Sequence, residues 1–180
     1  MTQAPTYDVC AVGNAIVDVL APCDPAFLTA QGLTAGSMQL VDAQQSAALY
    51  AAMAAGVEAS GGSAGNTVAG VGSFGGRAAY IGKVADDMLG GVFTHDIHAV
   101  GVHFETPPLH DGAAMGLATG VCMINVTPDG QRTMCTFLGA ANQLEAADID
   151  ADLIGASAIV YLEGYLFDPA PARVAFEAAA

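Results

Sequence analysis

The stretch Glu58-Ala-Ser-Gly-Gly-Ser-Ala-Gly-Asn-Thr-Val-Ala-Gly-Val-Gly-Ser-Phe-Gly-Gly76 decides the fold of this 180-residue chain. A short alternation of polar and apolar residues leads into the pair Gly61-Gly62, and a small-residue segment of helical character follows. Two adjacent glycines let the backbone adopt positive φ values and let a ligand approach the main chain closely. The first turn of a helix adds N–H groups without internal partners, which favour bound oxygens. With the amide of Asn66 one turn further on, the stretch predicts a strand–Gly-Gly–helix junction that binds a small polyhydroxy molecule.

The same stretch also contains a GxGxxG pattern at Gly70, Gly72 and Gly75. A dinucleotide site requires this pattern directly after a strand and at the start of a helix. Here the pattern follows the predicted helical run 64–69 and precedes the apolar strand 78–82, so the order is reversed. We therefore interpret these glycines as residues that let the helix pack closely on a sheet and then turn.

Composition excludes several classes of partner. Four Lys and Arg residues against 18 Asp and Glu residues give a net charge of −14, and a chain this acidic lacks the basic surface that nucleic acids require. The chain is 53% hydrophobic, yet no apolar run reaches the ~20 residues of a membrane span. No secretory signal is visible at the N-terminus. We expect a cytoplasmic protein that binds neither nucleic acid nor membrane.

Cysteines and histidines do not form a recognisable metal site. His95 and His98 are three positions apart on a predicted helix, but no third ligand stands at metal-binding spacing. The cysteines have no CxxC spacing, which favours reduced and partly buried thiols in a cytoplasmic protein. They are Cys10, Cys23, Cys122 and Cys135.

Strands alternate with helices along the chain, which favours a parallel sheet in an α/β layer fold. The predicted strands are 7–13, 15–20, 36–41, 78–82, 102–106, 116–126, 131–138 and 157–162. The predicted helices are 24–32, 42–55, 64–69, 87–100 and 169–180. The turn Pro128-Asp-Gly130 joins two of the strands into a hairpin, which could form a small separate sheet with 15–20 and 37–41. Because the sequence stops inside a helical pattern, we expect the front part of a longer protein.

Two charged residues allow both structural and functional interpretations. Asp18 interrupts an apolar run, where a carboxylate is costly unless it is paired or hydrogen-bonded. It either lies solvated on an edge strand or accepts hydrogen bonds from ligand hydroxyls. Arg132 begins the return strand of the hairpin. It either pairs with a nearby carboxylate such as Asp129 or faces an anion such as a transferring phosphoryl group.

Several segments, in this order and spacing, resemble the PfkB (ribokinase-like) family of carbohydrate and nucleoside kinases. They are Gly13-Asn14-Ala-Ile-Val-Asp18, Gly61-Gly62-Ser-Ala-Gly-Asn66, Tyr80-Ile-Gly-Lys-Val-Ala-Asp-Asp-Met-Leu-Gly90 and Thr119-Gly120. Within the family the chain is most similar to adenosine kinases and their bacterial relatives. That similarity rests on Ser63, on the hairpin segment 129–142 and on Tyr161-Leu-Glu-Gly-Tyr165.

The resemblance implies a doubly wound, mostly parallel α/β sheet with a small β lid, formed by segments at about 15–41 and 104–138. Residues 1–180 would be the N-terminal part of one PfkB kinase domain. The implied reaction is transfer of the ATP γ-phosphoryl group to the primary hydroxyl of a nucleoside, with adenosine favoured, or of a related sugar.

The resemblance also implies roles for individual residues. Asp18 and Asn66 would hold ribose hydroxyls together with the Gly61-Gly62 backbone, and Asn14 would support them. Arg132 would close over the phosphates and stabilise the transition state. A base would be walled by Met38, Leu40, Leu138 and Tyr165.

The family's Asp-Thr-x-Gly-Ala-Gly-Asp segment, which carries the general base, and its Asn-x-x-Glu segment, tied to Mg²⁺, are not in this sequence. The resemblance thus implies that ATP and Mg²⁺ bind mainly to a C-terminal half that is missing here. We expect the 180 residues alone to be inactive. The alternative is a non-catalytic nucleoside- or sugar-binding module, and either a monomer or a lid-mediated homodimer is compatible with the sequence.

Overall fold

The structure is a computed structural model that describes residues 4–168 and 170–180. These residues form eight β-strands, six α-helices and three short 3₁₀ turns. The strands are β1 (Tyr7–Val12), β2 (Ile16–Pro22), β3 (Met38–Leu40), β4 (Val57–Gly61), β5 (Ala78–Ile81), β6 (Gly120–Val126), β7 (Arg132–Phe137) and β8 (Ser157–Leu162). The helices are α1 (Pro25–Ala30), α2 (Ala43–Ala52), α3 (Ser63–Ser73), α4 (Met88–Ala99), α5 (Ala151–Gly155) and α6 (Ala170–Ala179).

The main sheet contains three parallel strands in the order β5-β1-β8. Alternate residues of its central strand enter different cores. Ala11 packs in the cluster that holds Val68 of α3 and Phe93 of α4, whereas Val12 packs in the cluster that holds Phe176 of α6. Helices therefore cover both faces of a parallel sheet, which confirms the predicted doubly wound α/β class.

A second, smaller sheet has five strands in the order β3-β7-β6-β2-β4. β6 and β7 form the predicted antiparallel hairpin, and β2 runs parallel to β6 and antiparallel to β4. The sequence predicted the first four of these strands in one sheet but gave no sign that β4 joins it. Because β2 is paired on both sides, the interpretation that placed Asp18 on an edge strand is wrong.

Local signals define where three helices begin. The carboxylates of Asp24, Asp42 and Asp87 accept hydrogen bonds from the first-turn amides of α1, α2 and α4. Gln45 completes a capping box with Asp42, as the sequence spacing predicted.

The predicted strand 102–106 is wrong. His103 alone bridges to β5, opposite Ala79, and the next residue, Phe104, packs edge-on against Phe93 in the core. Pro169, which was predicted to begin the last helix, lies outside the described residues.

Close packing accounts for the central glycine of the GxGxxG pattern. A Cβ on Gly72 would lie 2.6 Å from the carbonyl oxygen of Val100, so α3 can approach the end of α4 only because this residue has no side chain. None of the helices in the described part of the chain is long and apolar enough to cross a membrane.

Candidate functional site

A cavity of about 640 Å³ lies where the carboxyl ends of β1 and β8 meet the small sheet. Open α/β folds bind ligands at this position, outside the carboxyl ends of the parallel strands. The cavity is lined by Asn14, Ile16, Asp18, Met38, Leu40, Gly62, Ser63, Asn66, Cys122, Ile124, Arg132, Met134, Thr136, Leu138, Asn142, Glu163, Tyr165 and Asp168.

Nine of the ten residues singled out from the sequence line this one cavity, although they come from positions 14 to 165. They are Asn14, Asp18, Met38, Leu40, Gly62, Asn66, Arg132, Leu138 and Tyr165. Gly61 is not among the lining residues, because it lies behind the side chain of Asp18.

The small sheet presents an apolar surface to the cavity. Side chains alternate between the two faces of a strand, so Val121 and Met123 of β6 enter the main core, whereas Cys122 and Ile124 face the cavity. Met134 and Leu138 pack against Cys122 and Ile124 on this face. The edge residues of β3 are more open, with Met38 56% and Leu40 64% exposed.

Asp18 places a carboxyl group on this otherwise apolar face. It is partly buried, and burial raises the pKa of its carboxyl group above the ordinary value. Within residues 4–168 and 170–180 it forms neither an ion pair nor a side-chain hydrogen bond. A carboxyl group desolvated without a protein partner is suited to accept hydrogen bonds from a ligand.

The two central glycines bring the backbone close to this carboxyl group. A Cβ on Gly61 would lie 2.6 Å from Oδ1 of Asp18. Gly62 has a φ of 82°, and a Cβ there would lie 2.6 Å from the carbonyl oxygen of Asn14. The predicted need for glycine at both positions therefore has a geometric cause, since side chains here would displace the cavity wall.

Glu163 was not identified as a site residue from the sequence. It is 2% exposed and its carboxylate accepts hydrogen bonds from the backbone N–H of Asn14 at 2.7 Å, from Asn14 Nδ2 at 2.8 Å, from the N–H of Ala64 at 3.0 Å and from Ser63 Oγ. The N–H of Ala64, in the first turn of α3, was expected to be available to a ligand, and Glu163 occupies it. The available signal was an acidic residue directly after the predicted strand 157–162.

Arg132 lines the cavity from the start of β7. The expected alternative partner, Asp129, instead accepts hydrogen bonds from Thr127 Oγ1 and from the N–H of Gln131, and these bonds lower the pKa of its carboxyl group. Among the described residues Arg132 has no ion-pair partner. The pairing interpretation is therefore wrong, and the guanidinium is available to an anion.

The sequence profile of the pfkB family carbohydrate kinases matches residues 28–180. The chain belongs to this family. Comparison with curated protein sequences gave no significant match.

Solved structures of kinases resemble this pfkB-family chain. Adenosine kinase from Sinorhizobium meliloti is 53% identical with a TM-score of 0.86, and 96% of the chain covers 52% of that protein. A probable sugar kinase from Rhizobium etli CFN 42 is 46% identical with a TM-score of 0.88, with 97% and 52% covered. Adenosine kinase from Trypanosoma brucei brucei is 27% identical with a TM-score of 0.75, with 98% and 56% covered. The chain thus spans about half the length of these proteins.

PfkB kinases generally use ATP and Mg²⁺. In the described part of this pfkB-family chain, no group of three or more His, Cys, Asp or Glu side chains is placed to hold a metal ion. One cationic side chain, that of Arg132, lines the cavity.

Proposed function

We propose that the protein is an ATP-dependent kinase that phosphorylates the primary hydroxyl of a nucleoside, with adenosine as the first candidate and a related sugar as the second. The observation that carries this proposal is the division of the cavity. Asp18 offers a carboxyl group that has no partner among the described residues, beside the apolar surface of Ile16, Ile124 and Met134. The hydroxyls of a ribose would donate hydrogen bonds to the carboxyl group of Asp18, and a flat base would bury apolar area against the apolar surface.

The roles of the lining residues follow from this division. Asp18 and Asn66 hold the ribose hydroxyls, with the backbone at Gly61 and Gly62 close by and Asn14 in support. The base contacts Met38, Leu40, Leu138 and Tyr165. Similarity to the Sinorhizobium meliloti adenosine kinase at 53% identity supports a nucleoside, and similarity to the probable sugar kinase at 46% supports the second candidate.

Arg132 neutralises the charge of the transferring phosphoryl group. Phosphoryl transfer depends on positioning and charge neutralisation more than on covalent chemistry, and an Arg fork matches the geometry of phosphate oxygens. ATP would supply the phosphoryl group, and the family's Mg²⁺ would supply further positive charge. We propose that both bind mainly outside these 180 residues, which on their own are inactive because the Gly-Ala-Gly-Asp segment is not in this sequence.

The small sheet acts as a lid that excludes water from the transfer, built from segments at about 15–41 and 104–138 together with β4. Its β4 edge is covered, because Asp96 of α4 accepts a hydrogen bond from the N–H of Ser60. Its β3 edge carries the exposed Met38 and Leu40. Light scattering would test a lid-mediated homodimer against a monomer. The cytoplasm is the proposed location.

A coupled ATP/Mg²⁺ assay on the complete native protein tests the function, with adenosine, inosine, ribose and fructose compared side by side. Turnover of adenosine is the expected result. If only a free sugar were phosphorylated, the kinase assignment would stand, but Met38, Leu40 and Leu138 would have no role in binding a base and would be ordinary packing residues. Binding of a nucleoside without turnover would instead identify a non-catalytic binding module. If the protein neither bound nor phosphorylated any of the four compounds, the proposal would be refuted.

A further inference from the structure

In the side-chain amide of Asn14, the nitrogen has a hydrogen-bond partner and the oxygen has none among the described residues. Asn14 is 2% exposed and lines the cavity. Its Nδ2 donates to Oε2 of Glu163 at 2.8 Å. Its Oδ1 is buried and has no hydrogen-bond partner among the residues that the structure describes. Since a buried carbonyl oxygen without a donor is unfavourable, a donor from a bound ligand would complete this site.

In the carboxylate of Glu163, by contrast, both oxygens already accept hydrogen bonds from the protein. Oε2 accepts from the backbone N–H and from Nδ2 of Asn14, and Oε1 accepts from Ser63 Oγ and the N–H of Ala64. Two hydrogen bonds at each oxygen use the capacity of a carboxylate. Glu163 therefore lines the cavity with its hydrogen-bonding capacity already taken by the protein.

These bonds fix the direction of the Asn14 amide. If the amide turned by 180°, Oδ1 would face Oε2 of Glu163, and two acceptors would meet without a proton between them. The backbone N–H of Asn14 holds Oε2 in place at 2.7 Å, so the carboxylate cannot move away without losing a second bond. The unpartnered atom of Asn14 is consequently the oxygen and not the nitrogen.

We infer that Glu163 is a positioning residue, which orients the Asn14 amide so that Oδ1 accepts a hydrogen bond from one substrate hydroxyl. The inference rests on the proposed function and deepens it. Asp18 and Asn14 then both present acceptors, so the site requires substrate hydroxyls that act as donors. Groups of similar size that accept without donating should be rejected.

Substrate analogues test the direction of the bond in the unaltered, complete protein. The phosphorylated nucleoside is compared with its 2′-deoxy and 3′-deoxy analogues and with the corresponding 2′-fluoro and 3′-fluoro compounds, since fluorine accepts hydrogen bonds but cannot donate them. At the position that Asn14 contacts, we expect fluoro and deoxy analogues to lose kcat/KM alike, by about 10-fold or more. Fluoro compounds that match the parent nucleoside at both positions would overturn the inference.

Variants then separate Asn14 from Asp18 and positioning from simple stability. In Asn14→Ala the hydroxyl-to-fluoro ratio should fall to within about threefold at one position, and Glu163→Met should flatten the ratio at that same position. Glu163→Gln keeps one accepting oxygen and should retain part of the preference. Combining Asn14→Ala with Glu163→Met should flatten the ratio no further. The matched control is Glu177→Met, because Glu177 is exposed on α6.

A uniform rise in KM for all analogues, with the ratio preserved in Glu163→Met, would mean that Glu163 only stabilises the fold, and would overturn the inference. Additive effects of the two substitutions would show that Glu163 contacts a hydroxyl itself, and would also overturn it.

Nitrogen-15 NMR of the Asn14 side-chain amide gives a readout that does not need turnover. One amide proton should exchange slowly in the unaltered protein and faster in Glu163→Gln, which is the variant to use where Glu163→Met does not fold. If the protein phosphorylates nothing, the proposed function fails. The NMR result then decides separately whether Glu163 orients Asn14, and unchanged exchange in the variant would refute that.

Discussion

Gly61→Ala is the substitution whose effect the structure defines most sharply. Its Cβ would lie 2.6 Å from Oδ1 of Asp18 and closer still to Cγ, whereas ordinary contacts begin at 3.4 Å, so the carboxylate must retreat by about 1 Å. Misplacement of a binding group by about 1 Å costs roughly 10²-fold in rate, or about 2.7 kcal/mol of transition-state stabilisation. We expect kcat/KM for the nucleoside to fall about 100-fold in the complete protein, measured by the coupled kinase assay.

Gly70→Ala provides the matched control. Gly70 lies in the middle of α3, and nothing within 4 Å meets a Cβ placed there, so the same added methyl should leave kcat/KM unchanged and stabilise the helix by up to about 1 kcal/mol. In an Asp18→Ala background Gly61→Ala should cost no further activity, because the clashing carboxylate is gone. If Gly61→Ala retained full activity, or if its effect added to that of Asp18→Ala, the carboxylate would not be the group that holds the substrate.

Asp18→Asn should weaken nucleoside binding by about 2–3 kcal/mol, because it removes a charged acceptor, and calorimetry would measure this. Burial raises the pKa of Asp18, so the contribution of this carboxyl group to folding stability is greatest at acid pH and is lost as the pH rises. At pH 7 the Asp18→Asn variant should therefore have a higher Tm than the unaltered protein. An equal or lower Tm would contradict this. Binding requires the ionised form, so affinity should decline on acidification at a pH above the ordinary carboxyl range, and a flat profile would contradict the role. Arg132→Gln should lower kcat by about 10²-fold with little change in nucleoside KM, and a selective rise in KM would refute its phosphate role. Lys83 and Asp148 form a buried ion pair of 2.5 Å. Lys83→Met removes the cation from this pair and should lower the free energy of unfolding, measured with denaturant, by about 3–5 kcal/mol. A loss below about 1 kcal/mol would show that the pair is solvated.

Features encoded within a few residues could be predicted from the sequence. The caps at Asp24, Asp42 and Asp87 act on amides up to three positions away, so their spacing alone places the starts of the helices. The hairpin of β6 and β7 follows in the same way from its turn. The gathering of Asp18, Asn66 and seven of the other residues around one cavity could be expected only through resemblance to a family, because no local pattern brings together residues from positions 14 to 165.

Features that depend on distant partners could not be predicted. Nothing in the sequence of β4 shows that it pairs with β2. The segment 102–106 has strand-like residues, yet it bridges to β5 only at His103. The importance of Glu163 was invisible for the same reason. Its side chain resembles any acid at the end of a strand until its partners, 99 to 149 positions away, are in place.

That separation has a consequence for how the protein is made. Synthesis at about 5–20 residues per second places roughly 5–20 s between the appearance of Ser63 and that of Glu163, which are 100 positions apart. Throughout this interval the first turn of α3 and the amide of Asn14 lack the carboxylate that organises them. A nascent chain can assemble the small sheet before then, but it cannot present a finished pocket. Any ligand of this cavity would therefore begin to stabilise the growing chain only after β8 has left the ribosome and docked beside β1.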